Sequence, residues 1–562
     1  MKAIAFNNDV IAMIVIQPDN SQPISGCLGF AITRIDQATG TRLILPNHFA
    51  PSGVDNSNYD SQPSNVWPIQ AYVWRDYGVE LDHSYAYEVE ALGGSFDNLT
   101  PIVGSKVTTN VVNITTKVSD YIKAAFTRGI LATQWMARNC PKLPDGSFDF
   151  DGLVSLLKTP GNALRLQLMG NVKSLLQEPV LAAAATGGHV YQALYEFTDP
   201  ELLAFLVQYA SSISLILGST GKDNAENREA SDDLHNAGAD IINRTLTGKE
   251  AIPHNKCQAS VDANGSGVMV STGAINWTTT GLCTQSSNVI NIISSELAKL
   301  YVDEWNQLKS DTVNDGSGQG PALRQYNANQ PPVVTLPDGT TIQAWFSPNT
   351  PDSEKPKHNP ATPADMAQVF AAIDNAQNFV GSLLFIPGYP SVVSQIASDY
   401  ANANGVMYRV AVSDKEALPW TLPTMRPGDP PLFVVANAIT NPFYDYMKEF
   451  DLLPDAFAII HSKYVVVDPF GSATVITGSH NLGFKASYSN DENLLIISGN
   501  KRLAMYYMVD NLDVYDHYLF NQEANGGTVS GNLTSDDSWQ SAILTGGSLA
   551  LIQYLAGGSY PV

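Results

Sequence analysis

The sequence predicts a multidomain protein: an N-terminal all-β sandwich, followed by a duplicated α/β unit in α-β-α layers. Three observations point to this. Residues 1–115 alternate short β-branched and aromatic runs with turn clusters. Beyond residue 184, strand-like runs and helix-like stripes alternate in β-α-β order. A short polar pattern, His-x-Lys followed one hairpin later by Gly-x-x-Asn, occurs twice, with its histidines 207 positions apart. At 562 residues the chain also needs more than one core.

Taken in order, runs at 10–16, 28–35, 69–74, 85–92 and 107–115 read as strands, parted by turn clusters at 19–25, 50–64 and 92–96. Their even spacing suggests an immunoglobulin- or fibronectin-III-like sandwich over 1–115. Without a paired-cysteine framework, the fibronectin-like version is favoured. This module reads either as a domain that docks a partner or presents substrate, or as a packing accessory. Residues 116–183 read as a helical connector. Tyr121, Ala124, Ala125 and Phe126 form a stripe at helical spacing, continued at 153–157 and 164–176, with breaks at Pro160-Gly161 and Pro179.

The first half of the duplicated unit spans 184–312. It carries strands at 189–197 and 213–217, a helix at 201–209, and a polar stretch at 219–233, either a solvated loop or a pocket rim. Residues 313–340, rich in Gly, Asn and Pro, read as a linker. The second half spans 341–525. A strand exit at 344–348 is followed by a helix at 363–376 that opens on proline, where a missing N–H costs least. A strand at 382–386, a helix at 392–403 and strands at 405–412, 432–435 and 457–460 complete it. The Pro-rich loop 418–431, with Trp420 and Arg426, either shapes substrate access or is a rigid surface loop. Residues 526–562 read as a Gly/Ser-rich tail ending in a strand or clasp near 549–555.

The densest pattern lies at 458–493. Side chains repeat every second residue in a strand, so His461 and Lys463 share one side. A hairpin beyond Asp468 returns the chain to Gly478-Ser479-His480-Asn481. An imidazole, an ammonium and an amide then converge, a set that suits an anion such as phosphate. The other copy is His254-Asn255-Lys256 followed by Gly273-Ala274-Ile275-Asn276. Its His-to-Asn offset is 22 against 20, and a longer turn at 262–267, with the Asn264-Gly265 signal, absorbs the difference. One such pattern arises by chance; two, each followed by its Gly-x-x-Asn, are specific.

These residues resemble the HxK(x)4D…GSxN signature of the phospholipase D superfamily, whose two-motif enzymes carry it twice. Asp468 stands at the family spacing. In the first copy Val261 takes that place, Asp262 lies one position late, and Ala274 replaces the serine that Ser479 keeps. The resemblance implies a phospholipase D-type catalytic pseudo-dimer with its site at the seam between halves. It implies metal-independent phosphodiester transfer through a covalent phosphohistidine, with no cofactor and resistance to chelators. His254, Lys256, Asn276, His461, Lys463, Asn481 and Glu492 would form the site. His254 would attack phosphorus and His461 would serve as acid and base. The lysines would neutralise non-bridging oxygens and the asparagines would donate to them. Glu492 would orient one histidine; Ser287 holds the corresponding place in the first half. Asp468, Asp262 and Ser479 would support the site, Asp468 by bracing Lys463 or the hairpin. The substrate is expected to be a phosphodiester, a phospholipid ahead of nucleic acid. The alternatives are a nuclease of the same fold and a non-catalytic binding protein.

Composition narrows the field further. With 31 basic and 54 acidic residues the formal charge is −23, which excludes a basic nucleic-acid coat and opposes adsorption to anionic membranes. A local basic pocket for nuclease chemistry remains compatible with it. Cys27, Cys140, Cys257 and Cys283 show no Cys-x-x-Cys spacing and read as small core residues, neither a zinc site nor a disulfide framework. Residues 1–9 lack the basic start of a signal peptide, and the apolar run 10–16 is too short to cross a bilayer. The expectation is a cytoplasmic protein without stable membrane insertion, with signal-free export left open.

Overall fold

The computed structural model describes residues 1–56, 60–129, 141–145, 149–248, 251–315, 318–352, 359–402, 405–437, 459–527 and 531–561. The chain divides into two compact units, one built from 1–116, 424–449 and 505–562, the other from 117–423 and 450–504.

The first unit is β-rich at its N-terminal end. Lys2–Asn7, Ala12–Gln17 and Val73–Asp76 form a three-stranded antiparallel sheet. In a second sheet, Gly29–Asp36 pairs with Arg42–Ile44 on one side and with the long strand Ser84–Ser95 on the other. Asn98–Pro101, Val107–Thr108 and Val112–Asn113 all pair with that long strand. The C-terminal segment differs from its expected strand or clasp: Trp539–Ile543 and Gly546–Gly557 are helices. The apolar run repeats at helical spacing, burying Leu551, Ile552, Leu555 and Ala556 together. Trp539 stacks on Tyr72, with ring centroids 5.4 Å apart, and donates its indole N–H to the Cys27 carbonyl at 2.9 Å. The tail is thus part of this unit's core.

The second unit holds two mixed sheets, whose strands are numbered here within the unit. The first contains β1 (Ile122–Phe126), β2 (His189–Leu194), β3 (Ile213–Gly218), β4 (Asp240–Arg244), β5 (Lys256–Val261), β6 (Gly267–Gly273) and β7 (Asn288–Ile293). The second contains β8 (Val334–Thr335), β9 (Thr341–Ser347), β10 (Phe379–Leu384), β11 (Met407–Val412), β12 (Lys463–Val467), β13 (Thr474–Gly478) and β14 (Glu492–Ser498). The first sheet runs β1-β7-β6-β5-β2-β3-β4, and the second contains β8-β9-β14-β13-β12-β10-β11. From β1 in one and β9 in the other the pairings match: four antiparallel steps, then a parallel one. Parallel neighbours need crossover connections, and helices fill these: Pro200–Val207 between β2 and β3, Arg228–Asn236 between β3 and β4, and Val392–Asn402 between β10 and β11.

Several expectations change here. The stripe at 121–126 is the edge strand β1, not a helix. Its small, apolar residues are nearly all buried, so period alone could not separate the two states. Among the described residues, helices follow at Phe150–Lys158, Ala163–Met169 and Val172–Thr186, and Pro179 lies inside the last of these. The polar stretch 219–233 is helical too, as Asp223–Glu226 and Arg228–Asn236. It buries Ala230, Ser231 and Leu234 at helical steps. The linker 313–340 contains a helix, Pro321–Asn327. Buried Arg324 anchors it by donating to the carbonyls of Gln319, Thr350, Asp352 and Tyr488 at 2.9–3.2 Å. Cys140 and residues 457–458 of an expected strand lie outside the described residues; Ile460 forms a single bridge with Ser286.

The two sheets meet along a buried polar seam. Thr272 donates to Asn493 at 2.6 Å, Asn288 to Thr477 at 3.1 Å, and Asn493 to Asn255 at 3.1 Å. The hydroxyls of Ser286 and Ser462 lie 3.0 Å apart. Arg244, 1% exposed, is paired with both Asp311 and Asp491. Burying such groups is tolerated because each finds a partner.

Candidate active site

β5 opens at Lys256 and β12 at Lys463, with a histidine two residues before each. Each lysine folds back onto its own motif. Lys256 Nζ donates to the His254 carbonyl at 2.9 Å, and Lys463 Nζ to the His461 carbonyl at 2.8 Å. An aromatic ring walls each pair. Tyr195, the residue after β2, lies 5.0 Å from the His254 ring and 5.0 Å from Lys256 Nζ. Phe385, the residue after β10, lies 4.9 Å from the His461 ring and 5.1 Å from Lys463 Nζ.

Glycine ends both returning strands for a steric reason. Gly273 and Gly478 have φ of 149°, and an added Cβ would lie 2.1 Å from the Asn288 carbonyl oxygen and 2.3 Å from that of Asn493. Only a residue without a side chain lets β6 and β13 lie this close to their neighbours before the chain turns to Asn276 and Asn481. Asn276 donates its amide to Glu196 at 2.6 Å, and its carbonyl oxygen is unpartnered, as is that of Asn481.

The two histidines are held differently. His254 Nδ1 lies 2.8 and 2.9 Å from the two oxygens of Glu492, a residue of the second sheet. Backbone bonding seats this contact: Asp491 N–H donates to the Ile252 carbonyl at 3.1 Å, just ahead of His254. His461 Nδ1 instead lies 2.9 Å from the Ala274 carbonyl oxygen. Ser287, in the place that Glu492 takes in the other sheet, is buried with its hydroxyl unpartnered. In both rings an acceptor fixes the proton on Nδ1 and makes Nε2 the acceptor nitrogen; that of His461 lies 3.3 Å from Lys463 Nζ, which donates to it.

Of the supporting residues, Ser479 accepts from the Asn493 N–H at 3.0 Å and so reaches Asn255 through Asn493. Asp468 braces the hairpin rather than Lys463. It accepts from the N–H groups of Gln377, Asn378 and Phe379 at 2.7–2.9 Å, fixing the entry to β10. Asp262 does not support the site. It closes the β5–β6 turn by accepting from Asn264 and Ser266, at the far end of β5 from Lys256. That places it about 20 Å along the strand, at roughly 3.3 Å per residue.

Burial disfavours the positively charged forms of the site's histidines and lysines. It pulls His254 down to about 4, partly opposed by Glu492 and reinforced by Lys256. Burial together with Lys463, Lys256 and His254 holds His461 well below the usual histidine range. Lys256 is lowered by burial to about 8, and Lys463 is also lowered well below its usual range. Burial acts to raise Glu492, but His254 and Lys256 hold it below the usual carboxylate range. Each half's lysine thus acts on the other half's histidine, so the two motifs share one electrostatic environment. An entering phosphodiester anion would relieve the mutual repulsion and raise the affinity of the rings for protons.

Three carboxylates flank the first motif. Glu196, Asp223 and Glu226 offer oxygens within 4.8 Å of one another, a spacing that could hold a cation. Burial and the neighbouring acids raise Asp223 to about 6. Glu196, Tyr195 and the Ala274 carbonyl were not singled out from the sequence. Register would have found Glu196: Leu194 pairs with Lys256, and the next two residues carry the chain past it into the site.

Residues 370–510 match the family described as "Cardiolipin synthase, PLD-like domain", and this match covers β10 to β14 with the second motif. This part of the chain therefore carries a phospholipase D-like domain. Among solved structures, the chain is similar to phosphatidylserine synthase from Haemophilus influenzae Rd KW20, at 15% identity and a TM-score of 0.42, over 62% of this chain and 85% of that one. The phospholipase D family member Nuc from Salmonella typhimurium matches at 17% identity and a TM-score of 0.20, over 33% and 91%. Yeast tyrosyl-DNA phosphodiesterase matches at 10% identity and a TM-score of 0.32, over 56% and 85%. Comparison with curated proteins gives no match. Among the described residues, no helix is long and apolar enough to cross a membrane.

Proposed function

We propose that the protein is a phospholipase D-type hydrolase or transferase that cleaves phospholipid diesters without a metal, through a phosphohistidine on His254. The two sheets of the second unit act as the halves of a catalytic pseudo-dimer. The observation that carries the reading is the asymmetric pair of buried imidazoles. One ring has its Nδ1–H on a carboxylate and the other on a backbone carbonyl, with an ammonium beside each.

His254 is neutral at pH 7, and the facing Glu492 stabilises the positive charge the ring acquires when Nε2 bonds to phosphorus. His461, with only a carbonyl behind it, gains its proton when the phosphate anion is present and delivers it to the leaving alkoxide. It then takes a proton from the water or alcohol that releases His254. Lys256 and Lys463 neutralise the non-bridging oxygens as phosphorus becomes five-coordinate. Asn276 and Asn481 line the same pocket, with Glu196 holding the amide of the former.

The test is turnover of bis(p-nitrophenyl) phosphate by His254→Ala and His461→Ala, with and without EDTA. Both variants are expected to lose turnover and EDTA to leave the wild type unaffected. Wild-type rates in either variant would overturn the two-histidine mechanism. Release of headgroup from phosphatidylcholine without nicking of DNA or RNA supports the lipid reading, and the reverse selects a nuclease.

A further inference from the structure

The two motifs open onto unlike surroundings. The residue two beyond β2 is Glu196, beside Asp223 and Glu226; the residue two beyond β10 is Ile386, 48% exposed. Ile386 begins a small apolar surface. Tyr389 is 55% exposed, Trp420 95% and Leu422 54%. The rings of Tyr389 and Trp420 stack, with centroids 5.6 Å apart and planes at 16°, joining the two loops that carry them.

The first loop is anchored at both ends in the site. It leaves from Phe385, against the His461 ring. It returns at Ser391–Val392, where Val392 N–H donates to the Leu482 carbonyl at 3.0 Å, one residue beyond Asn481. Between them, Pro387 packs so tightly on Gly483 that a Cβ there would lie 1.8 Å from the proline carbonyl oxygen. The exposed tip is therefore fixed to the backbone that carries the second motif.

We propose that this tip docks the protein onto a zwitterionic lipid surface and sets the site against the headgroup layer. The inference rests on the phospholipid reading above. Three features favour a lipid surface over a protein partner. Ile386–Ser391 and Leu418–Pro423 contain no charged residue, in a chain that is 15% charged, so bringing them into the interface desolvates no ion. Four of these twelve residues are proline and lack an N–H, which lowers the number of backbone donors left without water. Trp and Tyr at a protruding tip suit the headgroup level, where an apolar body and a polar edge are both accommodated. Charge selects the lipid: a chain at −23, with three carboxylates beside the first motif, is repelled by an anionic surface and compatible with a zwitterionic one.

The experiment uses full-length His254→Ala protein, so that bound lipid is not turned over, with large unilamellar vesicles of phosphatidylcholine. Cosedimentation and a blue shift of tryptophan emission are expected. Adding Trp420→Ala and Tyr389→Ala should weaken vesicle binding on the order of tenfold, whereas Trp420→Phe should retain most of it. With His254 intact, the Trp420→Ala, Tyr389→Ala protein should turn over soluble bis(p-nitrophenyl) phosphate within about twofold of wild type, since its pocket is untouched. Failure of the parent protein to sediment with vesicles, or equal binding by the double substitution, overturns lipid docking. Loss of soluble turnover in the wild type would instead strike the phosphodiesterase reading and leave the vesicle result standing.

Discussion

Replacing Glu492 by Gln tests how the nucleophile is held. The side chain is fully buried, and its carboxylate accepts from His254 Nδ1 at 2.8 Å and from the Asn490 amide at 3.0 Å. Glutamine keeps the volume and one acceptor oxygen but removes the charge. A charge-assisted hydrogen bond contributes about 1.5–3 kcal/mol, so losing its ionic part from the phosphohistidine-forming step should slow kcat roughly 10- to 100-fold. The pKa effect acts in the same direction. Glu492 raises His254 against the pull of burial, so without it the ring falls further below about 4 and becomes a weaker nucleophile. KM should change little, because the lysines proposed to meet the phosphate are unaltered. Initial rates with bis(p-nitrophenyl) phosphate, measured beside thermal unfolding to show that the variant folds, make the test. A folded Glu492→Gln protein with kcat within twofold of wild type would refute the assigned role of this carboxylate.

Other consequences are directly measurable. Asp468→Ala leaves three N–H groups at the entry to β10 without their acceptor, and should lower stability by roughly 2–4 kcal/mol in denaturant unfolding while preserving kcat per folded molecule. Protonating His254 removes the nucleophile, so kcat/KM should fall as pH drops, with a midpoint near 4 rather than near the usual histidine value. The same depressed ring binds fewer protons folded than unfolded between pH 6.5 and 4, so stability rises with pH across that window. Wild type should therefore lose up to about 2 kcal/mol more than His254→Gln between pH 6.5 and 5, read from urea unfolding at each pH. Gly478→Ala should fail to yield folded protein or lose most activity, because its Cβ would meet the Asn493 carbonyl oxygen at 2.3 Å; near-normal expression and turnover would contradict that steric reading.

Much of the second unit was legible because its signals are local. The His-x-Lys pairs stand at strand entries, the Gly-x-x-Asn turns at strand exits, and one hairpin separates them in each copy. Cross-strand partnership was less legible. Glu492 was visible as a candidate orienting acid, but nothing in the sequence said that it would face His254 from the other sheet. That pairing depends on Asp491 bonding to Ile252 and on Arg244 reaching Asp491, contacts more than 230 positions apart in the chain. The strand at 122–126 read as helix because an apolar run buried on both sides carries no period. The helix at 321–327 was hidden in a Gly- and Pro-rich segment because a single buried arginine, bonded to distant carbonyls, holds it in place. Asp262 was misjudged because an acid near the family position is also what a tight turn requires.

The central claim is that one phosphorus atom is handed to His254 with His461 as its proton partner. The most direct measurement is an acid- or base-quenched single turnover, with the phosphorylated peptide mapped by mass spectrometry. Phosphorus on the peptide containing His254, accumulating when His461 is replaced by Asn, is the predicted result. Phosphorus on His461, or full turnover with neither ring modified, would contradict it.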